Sequence, residues 1–293
     1  MTADARDQFE QLVGQVRAKL HRYCARMTGS AVDGEDIVQD ALIKALAALP
    51  SVGVIDNPEG WLFRIAHNTA LDFFRRRARG PMMHHDEALD MIAAPDSPDQ
   101  DHEAATMSLR TFMRLPALQR SAVILKDVLG HSLEEVASIT GASEAAAKSA
   151  LQRGRVRLRE FAREPADASL PALSNGMRAR LTTYVEGFKI GDFDTVRAML
   201  ADDVKLDLVA KLRKQGKSEV GEYYTAYAAA KRWAYTAGVA DGRPAMVVYD
   251  RNVSLETPAY FVALDFFGDR VVSVHDFLYA RYAMDSVDLS LLT

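Results

Sequence analysis

Two short basic helices, separated by a stretch that carries acid and no base, constrain this chain more than any other feature. The first spans residues 61–79 (WLFRIAHNTALDFFRRRAR) and the second residues 143–159 (SEAAAKSALQRGRVRLR). Between Arg79 and Arg110 there is no Lys or Arg, whereas Asp86, Glu87, Asp90, Asp96, Asp99, Asp101 and Glu103 are acidic. The net charge of −4 averages these opposed segments and hides both basic helices. Two basic readers on a tether suit a chain that grips two nucleic-acid elements at a set spacing.

The chain has 293 residues, 48% of them hydrophobic, enough for two or three small domains. Its single cysteine, Cys24, excludes an internal disulfide and any cysteine-based metal cluster. It falls at an apolar position of the first helical pattern and is expected to be a buried structural thiol. The opening MTADARDQFEQ is charged and lacks the apolar core of a signal peptide. No apolar run approaches the ~20 residues needed to span a bilayer. A cytoplasmic location without membrane contact is the expectation.

Helical periodicity over 9–27 (Phe9, Leu12, Val13, Val16, Leu20, Tyr23, Cys24) stops at Thr28-Gly29. A second helix covers 33–49, with Ile37, Val38, Ala41, Leu42, Ala45 and Leu46 on its apolar side, and Pro50 halts it. Asn57-Pro58 supplies an N-cap and a proline at the first helical position for the long basic helix. Residues 81–102, with Pro81, Pro95 and Pro98 among the acids, read as a linker. Helices resume over 103–114 and 116–129. The run Ser132-Leu133-Glu134-Glu135 forms a capping box, Gly141 a turn and Ser143 the next cap, which is the helix-turn-helix pattern. A Pro-, Ala- and Ser-rich linker follows at 164–176. Beyond it come two helices (177–190 and 193–200), a strand (204–209), a Tyr-rich helix (219–231) and alternating segments at 245–249, 260–267 and 270–279, with turns at Asp241-Gly242 and Gly268-Asp269. That last domain is α+β, with helices first and a curved antiparallel sheet after.

On these residues the first 163 positions resemble the extracytoplasmic-function (group 4) sigma factors. The resemblance rests on Glu35-Asp36-Ile37-Val38-Gln39-Asp40, on the run Trp61 to Asp72 (WLFRIAHNTALD), on Leu115-Pro116 and on the helix-turn-helix. It implies a sigma region 2 bundle at 1–80, an acidic linker at 81–102 and a region 4 helix-turn-helix at 103–163. It also implies core RNA polymerase and promoter DNA as partners. Asp36, Gln39 and Asp40 would dock on the polymerase clamp. Arg64, His67, Asn68, Asp72, Arg75 and Arg76, with the loop 51–57, would open and read the minus-ten element. Asn and His offer both donors and acceptors to splayed bases, and Arg neutralises phosphate. Glu144, Lys148, Ser149, Gln152, Arg153 and Arg155 would serve the minus-thirty-five element, with Gln and Arg suited to adenine and guanine edges. Arg155, Arg157 and Arg159 suit phosphates or polymerase. Where the family carries Gly-Thr-Val-Lys-Ser-Arg, this chain has Ala145 to Ala150. Ala147 is expected to pack less than the usual Val, and Ala150 to cost one phosphate contact.

Residues 177–293 resemble the SnoaL-like domains, cone-shaped α+β folds shared with polyketide cyclases and ketosteroid isomerases. The opening 177–209 and the strand-turn-strand 262–279 carry that resemblance. Such an extension implies regulation of the sigma domains through intramolecular contacts, with a small-molecule ligand as a further partner. Catalysis there would need an acid or a His in an apolar pocket. Strand parity offers Asp207, Asp265, His275 and Asp276, and the pocket is expected to involve Tyr223, Trp233, Tyr249, Asp265 and His275. None sits at a diagnostic spacing, so no catalytic residue, cofactor or metal is expected. The tail 284–293 is expected to pack back on the sigma domains. The alternatives are a helix-turn-helix regulator with a ligand-binding domain and no polymerase role, and a cyclase-like enzyme fused to DNA-binding modules.

Overall fold

A computed structural model describes residues 3–78, 107–164 and 173–292. The acidic linker lies outside these residues, as does most of the second linker. The chain forms two compact units, Met1–Asp167 and Ala168–Thr293.

In the first unit, α1 (Ala3–Thr28) turns back at Gly29, where φ is +77°, into α2 (Ala31–Ala48), whose N-terminus is capped by the Ser30 hydroxyl. The two helices pack tightly at Gly34. A Cβ there would lie 2.6 Å from both Cα and N of Ala25. The buried Glu35 carboxylate pairs with Arg17 of α1, and Asp33 lies 3.6 Å from Arg77 of the next helix. Helix α3 (Pro58–Ala78) starts as its sequence dictates, with Asn57 Oδ1 accepting from Gly60 N at 2.8 Å. Leu62, Phe63, Ala66, Thr69 and Ala70 form its buried face, while Trp61, Ile65 and Phe73 are half-buried against the same core. Leu46, expected inside, is 38% exposed.

The later helices of this unit are α4 (Leu109–Met113), α5 (Ala117–Val123), α6 (Leu133–Thr140) and α7 (Glu144–Arg163). Between α5 and α6 the single expected helix opens into a turn of π-helix, Ile124–Val128. It is closed by Leu129 N to Ile124 O at 3.0 Å, and Gly130 (φ +80°) ends it. The helices before and after the linker were expected as separate small domains. They share one core instead, which runs from Phe9 and Leu20 through Leu62 and Phe63 to Phe112, Leu125 and Leu158.

The second unit begins with α8 (Asn175–Ile190) and α9 (Phe193–Ala198), joined by the expected Gly191-Asp192. Gly191 is left-handed and Asp192 caps α9 through Thr195 N at 3.0 Å. Then follow β1 (Leu200–Leu208), β2 (Leu212–Gln215), α10 (Lys217–Ala229), β3 (Trp233–Ala240), β4 (Arg243–Asp250), β5 (Tyr260–Phe267), β6 (Arg270–Asp276) and β7 (Leu289–Leu291). The sheet order is β2-β1-β6-β5-β4-β3-β7. It is mixed, because β1 joins β6 in parallel (Leu206 beside Val274) while the other pairs are antiparallel. Asp241-Gly242, both at positive φ, makes the β3–β4 hairpin expected of that dipeptide. The strand β7 pairs with Gly238–Ala240 of β3 inside its own unit, so this part of the tail does not follow the expectation of packing on the first 163 residues.

Gly34→Ala would force a methyl group against main-chain atoms of α1 that cannot yield as a flexible side chain does. Thermal unfolding of the variant is expected to show a loss of about 1–3 kcal/mol, the usual cost of overpacking.

Candidate nucleic-acid interface

On α3 the residues that do not pack inward form a stripe. Arg64, Asn68 and Arg75 are exposed, and Asp72 is half-exposed and paired with Arg75 at 3.0 Å. At about 100° per residue these four positions span ~80° of the helix surface, and their ~16 Å length covers about five base steps. Arg76 is exposed on the flank of the stripe. His67 departs from the expectation. It is 3% exposed, shares a 2.7 Å hydrogen bond between its Nδ1 and the Tyr23 hydroxyl, and lies 3.4 Å from Ser121 Oγ. Burial pushes its pKa down to about 4, so the ring is neutral at neutral pH. In this arrangement it is an internal hydrogen-bonding group with no base-facing edge, because it falls on the side of α3 that meets α5.

On α2, Asp36 and Gln39 are half-buried and Asp40 is exposed. Beside them Ile43 and Leu46 are 58% and 38% exposed, giving the acidic stripe an apolar border that the sequence reading did not identify.

The helix-turn-helix is built as its sequence specifies. The Ser132 hydroxyl accepts from Glu135 N at 3.1 Å, Glu135 Oε2 accepts from Ser132 N at 2.7 Å, and Ser143 Oγ accepts from Ala146 N at 3.2 Å. Helix α7 buries Ala147, Ala150, Leu151, Gly154 and Leu158. Gly154 fits against Val123 and the Gln119 carbonyl. Glu144 and Lys148 are exposed, while Ser149, Gln152 and Arg153 are half-exposed. Two expectations fail here. Ala150 is wholly buried, so the position faces the core and a basic side chain there would not reach phosphate. Arg155 makes a bidentate pair with the buried Asp127 carboxylate (2.9 and 2.7 Å), which turns it inward to brace α7 against the π turn. Arg157 donates to Gln119 Oε1 at 3.2 Å, and Arg114 stacks 3.7 Å over the Phe161 ring while pairing with Glu164.

The second unit has a polar group in its interior. Asp276, 1% exposed at the end of β6, accepts from the Tyr223 hydroxyl at 2.6 Å and the Tyr227 hydroxyl at 2.5 Å through Oδ2, and from Leu278 N at 2.8 Å through Oδ1. Tyr227 meets Tyr260 at 3.0 Å, and Trp233 stands edge-on to Tyr260. Burial pushes the Asp276 carboxyl above the usual carboxylate range, against the opposing pull of the two phenols. The five expected pocket residues do not converge. Tyr223 and Trp233 lie on the helix-packed side. Tyr249, Asp265 and His275 each follow a strand residue of that core (Val248, Leu264, Val274), so alternation turns them to the opposite face. There His275 Nε2 meets Ser273 Oγ at 3.0 Å, and Asp207 pairs with Arg213 at 2.9 Å. Tyr227 and Tyr260 were missed, although the Tyr-rich helix pattern pointed to that side.

Two family models match the chain: "Sigma-70 region 2" over residues 12–80 and "Sigma-70, region 4" over residues 109–158. The chain is 27% identical to the ECF RNA polymerase sigma factor SigG of Mycobacterium tuberculosis, over 94% of this chain and 82% of that one. It is 30% identical to the ECF RNA polymerase sigma factor EcfG of Rhodopseudomonas palustris, over 68% of this chain and 97% of that one. Among solved structures it is similar to the extracytoplasmic function sigma factor SigJ of Mycobacterium tuberculosis (22% identity, TM-score 0.35), over 93% of this chain and 97% of that one.

Arg155→Ala would leave the Asp127 carboxylate buried without its guanidinium, and denaturant unfolding is expected to show a loss of about 3–5 kcal/mol. The loss should persist at high salt, which would screen away a surface phosphate contact. For Asp276 the raised folded pKa means that the folded chain keeps a proton where the unfolded chain, near 3.8, has released it. Its contribution is complete below that ordinary value and is lost as pH rises through the raised one. Thermal unfolding across this window should fall with pH in the wild type relative to Asp276→Asn, which cannot ionise.

Proposed function

Because this chain belongs to the extracytoplasmic-function RNA polymerase sigma factors, we propose residue roles for its two readers and a regulatory role for its second unit. It is a sigma factor that directs transcription initiation, and its first unit acts as a non-catalytic transcription factor. The observation that carries the residue assignment is the pairing of an exposed Arg64-Asn68-Arg75 stripe on α3 with a fully capped helix-turn-helix in the same chain.

Arg64, Asn68, Asp72, Arg75 and Arg76, with the loop before α3, engage the minus-ten element. Opening that element and holding a base in a protein pocket costs a few kcal/mol of unstacking, which favours easily melted sequence. Glu144, Lys148, Ser149, Gln152 and Arg153 face the minus-thirty-five element from the N-terminal half of α7, the part of a recognition helix that enters the major groove. Asp36, Gln39 and Asp40, bordered by Ile43 and Leu46, form the polymerase-docking stripe of α2. The second unit regulates this activity from within the same chain, and its interior of tyrosines around Asp276 is where a small-molecule signal would be read.

The closed first unit is a resting state in this reading. Elements centred near minus ten and minus thirty-five lie about 25 base pairs apart, or ~85 Å along B-form DNA. Here α6 packs on α3, and α7 follows α6 after only three residues. The two readers therefore sit a few helix diameters (~10 Å each) apart. Promoter engagement requires the helices before and after the linker to separate.

In-vitro transcription with purified core polymerase checks these assignments. Arg64→Ala and Asn68→Ala should lower initiation without lowering polymerase affinity. Removing residues 165–293 should change promoter output. Unchanged output and unchanged polymerase affinity after that deletion would remove the regulatory role of the second unit.

A further inference from the structure

Among the described residues, the seam between the early and late helices of the first unit contains a cation without a counter-ion. Its apolar part is unremarkable in chemistry: Met113 packs over Gly29, and the Phe63 ring meets His131 edge-on at 5.0 Å. Ser121 of α5 adds neutral polar contacts, with its hydroxyl 3.4 Å from the Tyr23 hydroxyl, His67 Nδ1 and the Met27 sulfur, all of them across the seam. Next to it Arg120, 7% exposed, donates from Nη1 to the Met27 carbonyl at 2.6 Å and to the Met113 sulfur at 2.8 Å, and from Nη2 to the Leu115 carbonyl at 3.2 Å. Its guanidinium lies 5.1 Å over the Phe74 ring, and its Nε is buried without a partner. Among the described residues no carboxylate lies within ion-pair distance of it.

Two of these partners, the Met27 carbonyl and the Phe74 ring, belong to α1 and α3. The guanidinium is therefore desolvated by closure as well as by its own helix, and burial draws its pKa down to about 10. Taking a cation out of water is recovered only by a well-placed counter-charge, and carbonyls, a thioether and a ring supply part of that. An unbranched apolar side chain would fill much of the same space without the desolvation cost. A seam built only for permanence would not keep an arginine there.

We infer that Arg120 is a release element: closure of the two readers buries its uncompensated charge, which keeps the closed state near enough in free energy to the open one for core polymerase to part them. The inference rests on the reading of the closed unit as a resting state. Tyr23, His67 and Ser121 set the register of closure, and Arg120 opposes it. A group that weakens one of two states shifts their populations by its differential free energy alone, with no need to touch polymerase or DNA.

The test uses full-length protein carrying Ala47→Cys and Ser138→Cys, both at exposed positions, labelled with a fluorescence donor and acceptor; Cys24 is fully buried. Energy transfer is followed as core polymerase is added, and initiation is measured at limiting sigma factor. Wild type should show high transfer that falls with polymerase. Arg120→Met should hold high transfer to polymerase concentrations at least tenfold higher and initiate correspondingly less, while Arg120→Lys, which keeps the charge, should follow wild type. Should Arg120→Met fail to fold by circular dichroism, Arg120→Gln makes the same neutral comparison. Low transfer in wild type before polymerase is added would overturn the resting-state reading and the inference with it. High transfer in wild type, with the neutral variant opening at the same polymerase concentration, would overturn the role of Arg120 and leave the resting state in place.

Discussion

Tyr23 sits near the C-terminal end of α1, fully buried, and its ring and hydroxyl reach two other helices. Its ring meets Phe63 of α3 edge-on at 5.8 Å, and its hydroxyl bonds His67 of α3 and approaches Ser121 of α5. A buried phenol must find a partner or cost free energy, and the partners here come from both sides of the linker. That requirement ties α3 to α5, the helix that supports the helix-turn-helix. The core around it is continuous, so the helices before and after the linker pack as one body.

The exposed faces of α3 and α7 follow from that core. Because Leu62, Ala66 and Thr69 face inward, Arg64 and Asn68 face out, and His67, one position from the inward stripe, is drawn into the seam. On α7 the same reasoning applies to the Ala147-Ala150-Leu151-Gly154-Leu158 stripe, which leaves Lys148 outside and turns Arg155 toward Asp127. A buried bidentate pair fixes both the rotation and the axial position of a helix, because the planar guanidinium accepts one orientation of the carboxylate. Helix α7 is thus held by contacts remote from its exposed face.

The second unit obeys a different constraint. Its sheet gives one face to α8, α9 and α10, and the interior between them is filled by aromatic rings around one carboxyl, Asp276. Phenol donors on two turns of α10 converge on a single carboxylate oxygen, so the helix is pinned to the end of β6 by polar contacts as well as by packing. The parallel pairing of β1 with β6 sets the first strand of the unit beside its sixth, which local patterning had no means to express.

Sequence alone determined most of the helices and several caps and turns, while the strands β2, β3 and β7 and the π turn had no counterpart in its patterning. Asn57-Pro58, the Ser132-Glu135 box, Ser143, Gly191-Asp192 and Asp241-Gly242 each act within a few residues, so their structure was legible without a fold. The family was legible for the same reason, since its motifs are short and their spacing is fixed. Tertiary structure decided the partners of polar groups: His67 with Tyr23, Arg155 with Asp127, Arg120 across the seam, and Asp276 rather than Asp265 or His275 at the interior. An exposed and a buried arginine look alike in a helical pattern, because charge type sets what a side chain can bond while only the packing of distant segments sets what it meets.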